Sequence, residues 1–194
     1  EEYETACDCF LKALVMQESI VPTPELEIAN TCRNLALAYY YNEQYYEAAI
    51  YLNRALNYHA ASTDEKSQAE VIELSEFLAY CDYYRDEEES AAKKFRKVAE
   101  MHESLNGRLS SGVAKCLRMQ GKCLYYIKRY DEAWSLVNEA LGIAIQIDNR
   151  KQIVACHKEL YHLCKEFKRV MKERGDEQSS TLFFRESLLH EKFF

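Results

Sequence analysis

Apolar positions in residues 28–62 recur three and four apart. Leu35, Ala36 and Tyr39 share one helical face by that spacing, and Ala48, Leu52, Ala55 and Leu56 share another. Between the two runs Asn42-Glu43-Gln44 leaves room only for a tight turn. The pattern therefore predicts two antiparallel helices, with the small Ala36 and Ala48 letting their backbones approach.

The second-helix pattern returns along the chain. Ala6, Ala48, Ala91 and Ala133 are spaced by 42, 43 and 42 residues. Each is followed by a large apolar residue and a further small one: Phe10 and Ala13, Leu52 and Ala55, Phe95 and Ala99, Val137 and Ala140. First-helix counterparts of Leu35-Ala36 are Leu78-Ala79 and Gly121. The reading is a single array over 1–194: the second helix of a truncated repeat (1–21), full repeats at 22–62, 63–106 and 107–148, a degenerate first helix (149–176) and a C-terminal helix (177–194). On this reading part of the first repeat is missing ahead of Glu1.

Punctuation agrees. Thr23-Pro24-Glu25 reads as a helix start with Thr23 as N-cap and Pro24 in the first turn. Thr63-Asp64 starts the next repeat, and Arg85-Asp86-Glu87 is its turn. Asn106-Gly107 is the strongest loop signal. Asp82 stands where the pattern has Tyr39, a departure in that repeat. Leu182, Phe183, Phe184, Leu188, Leu189, Phe193 and Phe194 crowd a last helix that lacks the small residues of a packed repeat helix. It either caps the final apolar face or docks on missing chain or a partner.

Composition narrows the function. Two Pro and five Gly in 194 residues favour an all-α chain. A net charge of −7 lacks the basic footprint of a nucleic-acid binder. No apolar run is long enough to span a bilayer, so membrane insertion is not expected. Eight Cys set among apolar helical residues point to a reducing, intracellular and cytoplasmic setting.

Leu-small-x2-Tyr followed by small-x3-large-x2-Ala resembles the tetratricopeptide (TPR) spacing, with Cys32 where Trp often stands. The period of about 42 is longer than the usual 34. The stretch from Pro24 to Ala29, with Asn34-Leu35-Ala36, Tyr45-x-Glu47-Ala48 and Ala55-Leu56, is similar to kinesin light chain repeats. Ala140-Leu141-Gly142-Ile143-Ala144, with Ile147 to Arg150, is closer to spindle-orientation adaptors. The resemblance implies a right-handed α-solenoid of antiparallel helix pairs whose first helices line a concave, peptide-binding groove.

Tyr pairs recur at the ends of first helices: Tyr40-Tyr41, Tyr83-Tyr84 and Tyr125-Tyr126. Tyr suits both recognition and packing; one member of each pair filling the joint and the other facing the groove is the expected division. Arg33 projects from one first helix, and Lys115, Arg118 and Lys122 share a face of another, with Tyr125 next along it. These seven positions (Arg33, Tyr40, Tyr83, Lys115, Arg118, Lys122 and Tyr125) are the candidate partner-binding residues. The basic set is either a solvated face or a docking site for an acidic motif. Leu37, Tyr80 and Lys122 follow the small first-helix residues where repeats that clamp a carboxylate tail place Asn, which argues against that subtype.

No catalytic residue, metal site or cofactor is expected. Cys156, His157, His162 and Cys164 point in different directions on one helix, and the pair sharing a face lies ~10 Å apart along the axis. No phosphate loop or nucleophile elbow is present. The leading expectation is an interaction scaffold or adaptor for peptide or helical segments of other proteins, acidic ones among them. The alternative is a ligand-gated regulatory sensor controlling a domain outside these residues.

Overall fold

A computed structural model describes residues 2–59 and 65–193. Among the described residues the chain forms nine helices and no strand: α1 Glu2–Glu18, α2 Glu25–Tyr41, α3 Tyr45–His59, α4 Glu65–Tyr84, α5 Glu88–Asn106, α6 Ser111–Tyr126, α7 Tyr130–Gln146, α8 Arg150–Glu173 and α9 Glu177–Glu191. They fall into two compact units, Glu1–Lys94 and Phe95–Phe194, divided inside α5. The expected start at Thr63-Asp64 and the final Phe194 lie outside the described residues.

In the first unit α1 packs on α2, α2 on α3 and α3 on α4. The core is the predicted stripe. Leu35, Ala36, Ala48, Leu52 and Ala55 are fully buried, joined by Cys7, Leu14, Cys32, Leu74, Leu78 and Cys81. Ala79 and Ala91 are also at 0% exposure. Tyr39 is only half-buried; its ring stacks on Tyr51 at 5.7 Å rather than entering the core.

In the second unit α6 packs on α7, α7 on α8, α8 on α9, and α6 also reaches α8. Phe95, Ala133, Val137, Ala140, Cys156 and Leu160 are fully buried. Gly121 marks a close approach of α6 to α7. A Cβ there would lie 2.6 Å from a Val137 methyl and 3.1 Å from the Ala133 carbonyl oxygen. The pattern demands a small residue at this position because the facing backbone is already there.

The turns share one device. At Glu43, Asp86, Lys128 and Asp148 the backbone enters the left-handed region, φ +60°, +57°, +65° and +50°. The following N–H then closes back on the helix: Gln44 to the Tyr39 carbonyl, Glu87 to Asp82, Arg129 to Leu124 and Asn149 to Ala144, each at 2.9 Å. This is a Schellman closure, usually built on Gly, here built on four charged residues; Gly175 supplies the fifth, φ +76°. Helix starts are more varied. Pro24 rather than Thr23 occupies the cap of α2, and no side chain caps it. Ser110, Asn149 and Asp176 accept from the N–H groups of Val113, Gln152 and Ser179.

Two departures from the sequence reading have physical causes. Asp82 is 2% exposed and holds α4 to α5 by a polar clasp, accepting from Ser90 Oγ at 2.5 Å and pairing with Lys94 Nζ at 2.5 Å. The last helix does carry small residues on its packed face: Ser180 and Ser187 are buried against α8, and Ser180 Oγ donates to the Lys168 carbonyl at 3.3 Å. Phe183 stacks on Phe167 at 4.9 Å, while Leu182, Phe184, Leu188, Leu189 and Phe193 stay exposed.

Candidate functional site

Each unit places charged side chains along the seam between consecutive first helices. Arg33 on α2 and Arg118 on α6 each stand three residues before the small packing residue, Ala36 or Gly121. Their long side chains reach across to the next first helix. Both find carboxylates there.

In the first unit Arg33 makes a bidentate contact to Glu73 on α4, 2.9 and 3.0 Å, and its Nε lies 3.3 Å from Glu70. One guanidinium faces two carboxylates, so this seam carries surplus negative charge. Tyr40 lies two turns further along the same face. Its ring meets Phe77 of α4 edge-on at 5.1 Å and Tyr84 at 6.0 Å.

In the second unit the balance reverses. Arg118 Nη1 lies 3.5 Å and Lys122 Nζ 3.7 Å from the same oxygen of Glu159 on α8, and Arg118 Nε donates to Gln152 at 3.3 Å. Two cations share one carboxylate. The contacts are long, and the group is sheltered: side-chain exposure is 14% for Arg118, 28% for Lys122 and 13% for Glu159. Lys115 is half-buried one turn before Arg118 on α6. Tyr125, two turns beyond Arg118, has its hydroxyl pushed up first by burial and then by Glu166 of α8.

The Tyr pairs divide as a helical offset of one residue requires. Tyr40, Tyr83 and Tyr125 are half-buried, whereas Tyr41, Tyr84 and Tyr126 are 54%, 49% and 51% exposed. The candidate residues thus separate into two groups: Arg33 with Tyr40, and Lys115, Arg118 and Lys122 with Tyr125. Tyr83 is half-buried at the end of α4. Glu159 and Gln152 were missed from sequence. They stand on the helix whose repeat pattern is weakest, so no register placed them opposite Arg118.

The thiols are poor nucleophile candidates. Cys81, Cys156 and Cys164 are each pushed up to about 12, burial being the largest cause, and stay protonated at neutral pH. All eight cysteines are free, with Cys9 exposed and the others buried. No helix among the described residues is long and apolar enough to cross a membrane.

No protein-family model matches the sequence, nor does any curated protein. Solved structures do match. Apo RapI superposes at TM-score 0.72 and 21% identity, over 99% of this chain and 65% of its own length. A Rap protein complexed with competence and sporulation factor gives TM-score 0.59 and 17% identity over 98% and 50%. A putative kinesin light chain from Podosopora anserina, with nearly identical TPR-like repeats, gives 0.51 and 12% over 84% and 94%. This chain thus spans 65% of the first Rap protein and half of the second. The likeness defines an all-α helical-repeat solenoid. Its antiparallel helix pairs are the repeat that the spacing of the small residues predicts.

Proposed function

We propose that this chain is a protein-interaction adaptor that captures a peptide or helical segment of a partner and catalyses nothing itself. The observation that carries the reading is the α6–α8 seam, where Arg118 and Lys122 share Glu159. Both cations sit in a sheltered position, where salt screens them less than at an open surface. An acidic side chain from a partner would be drawn to them, with Tyr125 supplying apolar area beside it. A reducing cytoplasmic compartment fits the free thiols.

The test is a titration of the intact chain with 12-residue peptides that differ only in carrying Glu or Gln. The acidic peptide should bind more tightly, and Arg118→Gln with Lys122→Gln should weaken it by about thirtyfold, two charged contacts at roughly 1 kcal/mol each. Circular dichroism checks that the helices remain. Equal affinity for the two peptides, or no loss in the double variant, would overturn the reading.

The Rap protein solved with competence and sporulation factor supports a second reading. In it the groove takes a regulatory factor and controls a further domain.

A further inference from the structure

The first unit has a tyrosine-covered edge separate from its charged seam. Tyr3 of α1 stacks on Tyr41 at the end of α2, 5.7 Å; Tyr40 meets Tyr41 and Tyr45 edge-on at 5.5 and 5.6 Å; Tyr45 at the start of α3 stacks on Tyr84 at the end of α4, 4.9 Å and 15°. Rings from four helices thus form one run. Its exposed members are not single residues scattered over a surface: Tyr3, Tyr41 and Tyr84 are about half exposed, and Tyr46, next in sequence to Tyr45, is 61% exposed. Tyr40 is the half-buried hub, touching Tyr41, Tyr45 and Tyr84.

The charge around this run is one-sided. Stretches 2–4, 40–47 and 83–87 carry Glu2, Glu4, Glu43, Glu47, Asp86 and Glu87 against Arg85 alone. Arg85 shows what the surface accepts. Its guanidinium sits over the Tyr46 ring, 5.3 Å from the centroid, and pairs with Glu87 at 2.7 Å. The ring face takes the cation and the acid beside it completes the contact. Tyr45 and Tyr84 stack on each other, Tyr80 stacks on Tyr84 in turn at 6.4 Å, and Glu43 is close enough to push the Tyr45 hydroxyl up after burial has done so, which continues the same acid-flanked aromatic surface. Aromatic faces attract guanidinium and ammonium groups, and acidic surroundings raise their local concentration.

We propose that this edge, formed by Tyr41, Tyr45, Tyr46 and Tyr84 with Glu43 and Glu87, is a docking surface for a partner segment bearing arginine or lysine. It lies on different residues from the acidic-peptide seam of the second unit and takes the opposite charge. The occupant is a protein segment, since the same acidic rim repels nucleic acid and anionic lipid.

The probe is a 12-residue Arg/Ser peptide, with the matching Glu/Ser peptide as counterpart, titrated into the intact chain and followed by tyrosine fluorescence and by ring-proton NMR. The Arg/Ser peptide should bind, shifting the Tyr46 and Tyr84 rings, and the Glu/Ser peptide should not. Tyr46→Ala should weaken binding about threefold and Tyr46→Ala with Tyr84→Ala about tenfold. Glu43→Gln with Glu87→Gln keeps every ring and should also weaken it, which guards against a Tyr variant that fails to fold. Arg118→Gln with Lys122→Gln should leave this binding unchanged, so that failure here is distinct from failure of the seam. Absence of binding overturns the proposal. So does undiminished binding in the double Tyr variant, the signature of general attraction to a chain of net charge −7, and so does preference for the Glu/Ser peptide.

Discussion

The Nδ1 atoms of His157 on α8 and His190 on α9 lie 2.8 Å apart, so one imidazole donates to the other. Phe193 stacks on His157 at 3.8 Å and Trp134 of α7 approaches His190 edge-on at 6.3 Å. That arrangement requires at least one neutral ring, and two imidazolium groups at this distance would repel. Burial pulls both below the ordinary 6.5, with His190 adding to the effect on His157. Because the unfolded chain takes up these protons first, stability is full above about pH 6.5 and falls as pH drops below it. Thermal unfolding should therefore show a lower Tm at pH 5 than at pH 7. His190→Phe should flatten that slope, and an unchanged slope would remove the pair as its cause.

Asp82 and Lys94 should respond unequally to mutation. Asp82 is buried and Lys94 is 38% exposed. Removing the lysine leaves a carboxylate sheltered from water beside the Ser90 hydroxyl, whereas removing the acid leaves an ammonium that water can reach. Lys94→Ala is expected to cost about 3 kcal/mol and Asp82→Asn about 1–2 kcal/mol in urea unfolding. Equal losses would mean that the clasp is not a buried charge pair.

Gly121 and Gly142 make a matched contrast. A methyl at Gly121 collides with Val137 and the Ala133 carbonyl, while nothing lies within 4 Å of one at Gly142. Gly121→Ala should destabilise by about 1–3 kcal/mol through overpacking. Gly142→Ala, inside α7, should stabilise by roughly 0.5–1 kcal/mol because the unfolded chain loses freedom. Denaturant midpoints of the two variants check both signs.

Lys128 is exposed and held at φ +65°. A Cβ in that region costs about 1–2 kcal/mol, part of which Gly gives back as chain entropy. Lys128→Gly should raise stability by up to about 1 kcal/mol, read as a higher urea midpoint; a lower midpoint would show that the lysine side chain contributes more than its backbone strain costs.

These features differ in how far the sequence disclosed them. Helix pairs were legible because Ala48, Ala91 and Ala133 repeat a packing constraint at fixed distance, and Gly121 obeys it for the same steric reason. The Glu43 and Asp86 turns were placed by what surrounded them, although neither residue advertises a left-handed backbone. The Asp82 clasp was visible only as an exception, since its partners Ser90 and Lys94 lie across a turn. Ser180 and Ser187 escaped notice because serine serves at a close approach as well as alanine does, yet reads as polar. In the seam, Arg118 and Lys122 could be grouped by helical offset, but Glu159 could not, since contact between first helices depends on the register of α8. The exposed second tyrosine of each pair is settled by which side of the helix the next helix covers, and one residue of offset decides it.

Glu159 gives the most direct test of the central claim, that the α6–α8 seam holds an acidic segment of a partner. If a ligand carboxylate competes with Glu159 for Arg118 and Lys122, then Glu159→Gln removes the competitor. Calorimetric titration of the acidic 12-residue peptide into this variant should show binding tightened by about fivefold, roughly 1 kcal/mol, with helicity retained. Binding unchanged or weakened in Glu159→Gln would contradict the account and leave the three charges as an internal brace between helices.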